Sequence, residues 1–220
     1  MDFSRVMVMA CATVIEEMQP LFPAGIRHQV FDFGLHIQPQ KLRETLQAAV
    51  DVVDEDVDTI ILGYGLCSQA VIGIRSERCT LVVPRVDDCI AIFLGSCAAY
   101  KQQASAEPGT YYLTKGWIEV ADTPFTEHER LIARYGEARA QRMMKAMLAH
   151  YTRLVLINTG NHAMDTYREY TQHTAQRFGL RYEEIEGSNA LVQQMIFGPW
   201  DESFVVVQPG EAIGYSHFFS

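Results

Sequence analysis

Short apolar runs alternate with longer amphipathic segments along the chain. The apolar runs predict five strands: Val6 to Cys11, Val30 to Leu35, Thr59 to Leu62, Leu81 to Val86 and Leu154 to Asn158. Val205 to Val207 could add a further strand that closes the sheet. Helical spacing of apolar residues predicts helices at Pro39 to Val53, Asp87 to Lys101, Glu127 to His150 and Met164 to Phe178. Strand and helix in succession are typical of a parallel sheet covered by helices. The sequence therefore predicts an α/β, Rossmann-like three-layer sandwich, with a mostly parallel sheet and helices on both faces.

Residues 108–126 interrupt this alternation with a Pro-Gly turn, a pair of tyrosines and a tryptophan. We interpret the segment as a crossover or a small hairpin between a first part, about residues 1–107, and a second part, about residues 127–220. A chain of 220 residues fits one domain with a substantial core. We expect a single α/β domain over residues 1–220, built either as one continuous sheet or as two lobes.

The composition indicates which partners are unfavourable and where in the cell the protein is expected. The chain carries 18 basic and 27 acidic residues, a net charge of −9, which argues against nucleic acid or an anionic membrane as its main partner. The N-terminal apolar stretch is short and is followed by an acidic pair, unlike a signal peptide, and no segment approaches the ~18 apolar residues of a membrane span. We expect a cytoplasmic protein whose 5 cysteines are reduced.

Reactive side chains follow four successive predicted strands. Cys11 ends the first strand, His36 follows the second, Cys67 follows the third and Cys89 follows the fourth. Because the carboxyl ends of parallel strands share one edge of a sheet, these four side chains are expected to converge there. Thiolate and imidazole are ligands that zinc and other soft or borderline metals favour. The sequence thus predicts a metal site at this edge, with zinc as the first choice and iron or an iron–sulfur cluster as the second.

A reactive thiol is the competing interpretation. If the helix after the fourth strand begins near Asp87, Cys89 lies in its first turn, where unsatisfied amides favour a thiolate, and His36 or Arg85 could activate it. Cys89 is therefore the candidate catalytic residue. Cys79 and Cys97 are interpreted as buried core residues.

Glycine-rich turns supply candidate anion sites. Gly63 and Gly65 follow a strand, as phosphate-binding glycines do, although the dinucleotide fingerprint is incomplete. Thr159 and Gly160 lie in a strand-to-helix turn that could bind an anion or simply cap a helix. Arg85 is the candidate charge for substrate binding. Gly63 and Gly65 are also expected to turn the chain after the third strand, so that Cys67 reaches the sheet edge.

Several stretches together resemble the domain-of-unknown-function family 1638 of bacteria and archaea. They are GLH, ILGYGLCSQAVIGI, LVVPRVDDCIAIFLGS, PGTYYLTKGWIE and the later NTG and EGS turns. The family commonly has His-Asp-Cys after its Pro-Arg pair, whereas this chain has Asp87-Asp88-Cys89, so one potential ligand or proton carrier is missing. The resemblance implies a role near corrinoid proteins and their methyltransferases, and it implies no specific reaction.

The leading functional hypothesis is a metal-binding protein that serves one-carbon or methyl-transfer metabolism. Cys11, Cys67 and Cys89 would hold the ion, with His36 either as a fourth ligand or as a residue that supports the ligands. One alternative is a metal-free accessory or binding module for a corrinoid or methyltransferase partner. Another is a cysteine-dependent enzyme that acts on a small anionic substrate. The expected partners are thus a small molecule or such a partner protein.

Overall fold

A five-stranded sheet forms the centre of the molecule. The computed structural model describes residues 2–219. The strands of this sheet are β1 (Val6–Cys11), β2 (Arg27–Phe31), β3 (Thr59–Gly63), β4 (Thr80–Pro84) and β8 (Phe204–Val207). Their order is β2-β1-β3-β4-β8, and all neighbours are parallel except β4 and β8, which are antiparallel. The predicted α/β class with a mostly parallel sheet is confirmed.

The topology reverses direction beside β1. The chain passes from β1 outward to β2 and then returns across β1 to β3, so Val8 of β1 pairs with His28 on one side and Ile61 on the other. In open α/β sheets, the carboxyl ends of strands flanking such a reversal form a crevice where ligands bind. The ends of β1 and β3, at Cys11 and Gly63, border this crevice.

A second sheet has three parallel strands, β5 (Thr110–Leu113), β6 (Arg153–Asn158) and β7 (Arg181–Glu186), in the order β5-β6-β7. Residues 108–126 supply β5 and the short helix after it. Because β5 and β6 are parallel, this segment begins a crossover and does not form a hairpin. The polar strand β7 was not among the predicted strands.

Helices surround both sheets. They are α1 (Ala12–Met18), α2 (Pro39–Asp51), α3 (Cys89–Leu94), α4 (Cys97–Ala106), α5 (Lys115–Val120), α6 (Pro124–Tyr135), α7 (Glu137–Met147), α8 (Asp165–Phe178) and α9 (Ala190–Phe197). Within residues 2–219, no helix combines the length and the apolar character needed to cross a lipid bilayer.

Glycine divides two of the helices predicted as continuous. Gly95 has a φ of 82° and ends α3, after which the Ser96 hydroxyl accepts a hydrogen bond from the Ala99 amide at 3.1 Å and starts α4. Gly136, with a φ of 77°, separates α6 from α7. Positive φ angles suit glycine and interrupt a right-handed helix, so the single helices predicted over these two segments are wrong.

Each sheet has its own hydrophobic core. Val8, Ile61 and Val82 are fully buried in the core of the larger sheet, and α9 and β8 from the C-terminal part of the chain pack into the same core. Leu113 and Leu156 are buried in the core of the smaller sheet. The two cores therefore do not divide the chain at a single position, because its C-terminal segment returns to the first sheet.

Candidate functional site

Four side chains meet at the carboxyl edge of the larger sheet. Cys11 ends β1, His36 lies in a short 3-10 helix (Phe33–Ile37) after β2, Cys67 follows β3, and Cys89 begins α3 after β4. Cys67 interacts directly with both His36 and Cys89, and Cys11 lies close enough to influence the ionisation of Cys67 and Cys89. We call these four residues the thiol cluster. Their convergence was expected from the strand ends.

Gly65 allows the loops that carry Cys67 and Cys89 to pack together. A Cβ atom placed on Gly65 would lie 2.7 Å from the carbonyl oxygen of Val86 and 3.1 Å from Cα of Asp88. The amide of Leu66 donates to the same Val86 oxygen at 2.9 Å. Gly65 therefore provides close approach between two backbones.

Gly63 has a similar role on the other side of β3. A Cβ atom there would lie 2.7 Å from Cβ of Ala10 and 3.2 Å from Val14. The glycine lets β3 sit tightly against β1 and α1. Neither Gly63 nor Gly65 has a positive φ, so these two glycines serve packing more than the turn expected from the sequence.

The turn after Cys67 is made by two residues in a strained conformation. Ser68 has a φ of 55° and Gln69 a φ of 56°, and they are the non-glycine residues with positive φ between residues 2 and 219. The left-handed region costs an L-residue roughly 1–3 kcal/mol, and such strain is concentrated at functional sites. The amide of Gln69 donates to the carbonyl of Leu66 at 2.8 Å, which closes the turn around Cys67.

Cys67 is the thiol that the surroundings favour as a thiolate. The hydrogen bond from Cys89 holds the pKa of Cys67 well below the usual range, and His36 and the Gly65 amide add to this effect against the opposing effect of burial. Each of these donors stabilises negative charge on Sγ. The Cys67 residue as a whole is partly exposed, unlike the buried Cys11 and Cys89.

His36 is oriented for proton exchange with Cys67. Its Nδ1–H donates to the carbonyl oxygen of Phe33 at 2.9 Å, because a carbonyl can only accept. That bond leaves Nε2 for the thiol. Burial opposes protonation of His36, but the hydrogen bond and charge of Cys67 outweigh it and raise the pKa of His36. Thiol, imidazole and an orienting acceptor thus form the arrangement typical of an activated nucleophile.

Cys89 has the opposite environment. It is 7% exposed, and its hydrogen bond to Cys67, together with burial, raises its pKa well above the usual range. The pair shares one negative charge, and Cys67 carries it because it has two further donors. The geometry therefore favours Cys67 over the sequence candidate Cys89 as the reactive group, with Cys89 as its S–H donor.

Cys11 contacts Thr13 and does not join the hydrogen-bonded pair of Cys67 and Cys89. Its Sγ lies 3.0 Å from the Thr13 hydroxyl in a fully buried position. Burial raises the pKa of Cys11 to about 11, although the contact with Thr13 partly offsets it. Cys11 is thus a neutral thiol beside the reactive pair.

Tyr64 is a site residue that the sequence reasoning missed. It is 1% exposed, and its hydroxyl has no hydrogen-bond partner among residues 2–219. Burial raises its pKa far above the usual range, and the nearby Cys11, Cys67 and Cys89 raise it further. Its ring also lies 5.9 Å from that of His36. The sequence signal was its place between the two glycines of the Cys67 loop.

The thiol cluster does not form a ready-made metal site. Across residues 2–219, no group of three or more His, Cys, Asp or Glu side chains is arranged to hold an ion. The donor types suit zinc, but Cys11 would have to leave Thr13 and the Cys67–Cys89 hydrogen bond would have to break.

The expected anion-binding groups are engaged elsewhere. The Thr159 hydroxyl donates to the buried carboxylate of Glu17 at 2.6 Å, and the Gly160 amide donates to the Asn158 side chain at 3.0 Å. The Arg85 amide donates to Ser203 at 2.8 Å, and its guanidinium lies 3.5 Å from the carbonyl of Phe204. These contacts stabilise the fold around β6 and β8.

The remaining cysteines differ from each other. Cys79 is fully buried and its Sγ donates to the carbonyl of Val57 at 3.4 Å, as expected for a core residue. Cys97 is only partly buried and donates to the carbonyl of Arg85 at 3.2 Å, because Gly95 places it at the start of a new helix.

Comparison with known proteins gives one match. The family model described as "Protein of unknown function (DUF1638)" matches residues 30–196, a span that contains His36, Cys67 and Cys89. No curated protein and no solved structure matches the chain.

Proposed function

We propose a function for this chain, which belongs to the DUF1638 family of proteins of unknown function, from the geometry of its thiol cluster. It is a cysteine-dependent enzyme that uses Cys67 as its nucleophile on a small-molecule substrate. The observation that carries this proposal is the meeting of Cys89, His36 and the Gly65 amide at Cys67, which together hold the pKa of its thiol well below the usual range. The convergence of these three groups on one thiol exceeds what packing of a core cysteine needs.

Each residue has a defined role in this proposal. The proton of the Cys67 thiol moves to Nε2 of His36, whose ring is fixed by the Phe33 carbonyl. Cys89 donates its S–H to the resulting thiolate and keeps its own proton, since its pKa is raised. The Tyr64 hydroxyl, which lacks a partner among residues 2–219, donates to an oxygen of the bound substrate.

Alkylation of Cys67 as a function of pH tests the proposal. Trypsin releases Cys67 in a peptide covering residues 44–75, which contains no other cysteine, so iodoacetamide labelling can be read by mass spectrometry at this position alone. We expect a midpoint well below the ~8.5 of a free cysteine. His36→Gln and Cys89→Ala should each raise the midpoint, whereas Cys79→Ala, which removes a distant buried thiol, should not. A wild-type midpoint at or above that of free cysteine contradicts the proposal.

The metal site predicted from the sequence is a second proposal. It is favoured by the Nδ1–H bond of His36 to a backbone carbonyl, which leaves Nε2 as a potential ligand in the way common for metal-bound histidines. Cys11, Cys67, Cys89 and His36 would hold zinc, or iron as the next choice, after the rearrangement described above. A bound ion would supply Lewis acidity.

Elemental analysis separates the two proposals. Protein purified without a polyhistidine tag should carry about one equivalent of metal if the second proposal holds, and Cys67→Ser should lose it. Less than about 0.2 equivalents in the wild type, with no further loss in the variant, would end the metal proposal.

Cellular context remains a prediction. We place the protein in the cytoplasm, because all five cysteines between residues 2 and 219 are free thiols. The link to corrinoid proteins and methyltransferases, including the alternative of a metal-free accessory module, rests on the family resemblance. Co-purification with a corrinoid protein or methyltransferase in cell extracts, abolished by a surface substitution that leaves Cys67 alkylation intact, would support the accessory role.

A further inference from the structure

A cavity lined by aromatic rings lies beside the thiol cluster. It has a volume of about 290 Å³ and sits where α3 and α4 of the larger sheet meet β5 of the smaller one. Five aromatic side chains line it: Tyr100, Tyr111, Tyr112, Trp117 and Tyr151. Two acidic residues, Asp88 and Glu107, also reach it. The faces of aromatic rings carry negative potential, so this lining favours a positively charged occupant.

The acidic residues differ in how their charge is balanced. Glu107 forms ion pairs with Arg181 and with Arg153, and Arg153 in turn lies 3.0 Å from Glu183. These two arginines and two glutamates neutralise one another. The net charge of the cavity lining therefore depends on Asp88.

Asp88 has no counter-charge. It accepts hydrogen bonds from the Ile90 amide at 2.9 Å, the Ala91 amide and the Tyr100 hydroxyl, but it forms no ion pair with any residue between positions 2 and 219. Burial raises the pKa of Asp88, as expected for a carboxylate that lacks a cation. A cation in the cavity would supply the missing partner.

Asp88 connects the cavity to the thiol cluster. Asp88 immediately precedes Cys89, and Cys67 is near enough to act electrostatically on the Asp88 carboxylate.

We propose that this cavity binds an organic ammonium group, held over the faces of Tyr100, Tyr112 and Trp117 and paired with the carboxylate of Asp88. Aromatic enclosure with one carboxylate suits an alkylated ammonium better than a strongly hydrated metal ion, because the alkyl groups contact the rings. The charge at this cavity also favours a cation over the small anion expected from the sequence. That the ammonium belongs to the substrate of Cys67 rests on the proposed function, whereas the binding itself does not.

Choline and its neutral isostere 3,3-dimethyl-1-butanol test the proposal, with binding measured by calorimetry. We expect saturable choline binding and at least about tenfold weaker binding of the alcohol. Asp88→Asn should weaken choline binding about tenfold and leave the alcohol unchanged. Asparagine caps a helix as well as aspartate does, so the variant keeps the start of α3. Asp87→Asn, which removes the neighbouring exposed charge outside the cavity, is the matched control and should bind choline like the wild type.

Equal binding of choline and the alcohol would overturn the proposal, as would equal choline affinities for the two asparagine variants. Absence of saturable choline binding up to about 10 mM would also overturn it. Cys67→Ser separates this proposal from the proposed function, because choline should bind to that variant unchanged. If Cys67 alkylates with the midpoint of a free cysteine while choline still binds, the thiol chemistry alone is refuted. If the midpoint is lowered but choline does not bind, the ammonium site alone is refuted.

Discussion

Replacing Gly65 by alanine tests whether the reactivity of Cys67 depends on the close approach of two loops. The new Cβ would lie 2.7 Å from the carbonyl oxygen of Val86, 2.8 Å from its Cγ2 and 3.1 Å from Cα of Asp88. Two of these atoms belong to the backbone, so a side-chain rotation cannot relieve the overlap. Ordinary contact begins near ~3.4 Å, so the loops must separate by roughly 0.7 Å.

This separation should affect both stability and the thiol. Overpacking of this kind costs about 1–3 kcal/mol of unfolding free energy, and each kcal/mol lowers the melting temperature by about 2–4 °C in a chain of this size. The Gly65 amide also stabilises the Cys67 thiolate, and the same displacement moves Cys67 away from Cys89. Both changes raise the pKa of Cys67. A free cysteine is only about 3% thiolate at pH 7, so we expect Cys67 alkylation at pH 7 to fall roughly tenfold.

The assay is iodoacetamide labelling of the peptide that contains Cys67, with thermal unfolding measured in parallel. Gly136→Ala is the matched control, because Gly136 combines a φ of 77° with a ψ of 157°, a conformation that costs other residues about 1–3 kcal/mol. A Cβ there meets no atom within 4 Å. Gly136→Ala should lose a similar amount of unfolding free energy without changing the alkylation of Cys67. An unchanged labelling profile in Gly65→Ala, at a stability matching that of the control, would refute the reasoning.

Two further predictions concern neighbouring residues. Above pH ~9 the unfolded chain loses the Cys11 proton, whereas the folded protein keeps it until about pH 11, so this group makes stability fall as pH rises through that window. Urea unfolding at pH 8 to 10.5 should show a shallower decline in Cys11→Ala, and an identical decline in the two proteins would contradict the assignment. Glu17→Ala removes the buried acceptor of the Thr159 hydroxyl and should lower the unfolding free energy by about 1.5–3 kcal/mol. Glu44→Ala, an exposed helix position, should change it by less than about 0.5 kcal/mol, and equal effects of the two substitutions would refute a structural role for Glu17.

The sequence predicted the buried strands more accurately than the helix ends or the polar strand. β1 was predicted with its observed bounds, because a central parallel strand is a continuous apolar run. β7 was missed, because its sequence RYEEIE has one aliphatic residue and its glutamates pair with arginines such as Arg153 and Arg168. Such a strand is stabilised by partners distant in sequence, which local patterns do not reveal.

The sequence by itself determined that three thiols and an imidazole would share one edge of a parallel sheet. That result follows from chain direction, since residues that end parallel strands must emerge on the same side. The tertiary structure alone decided which sulfur carries the charge. Cys67 gains its donors from Cys89 and His36, which are 22 and 31 positions away along the chain. Ionisation depends on contacts of a few ångströms between distant residues, and the contact with Cys89 forms where Gly65 lets the two loops meet.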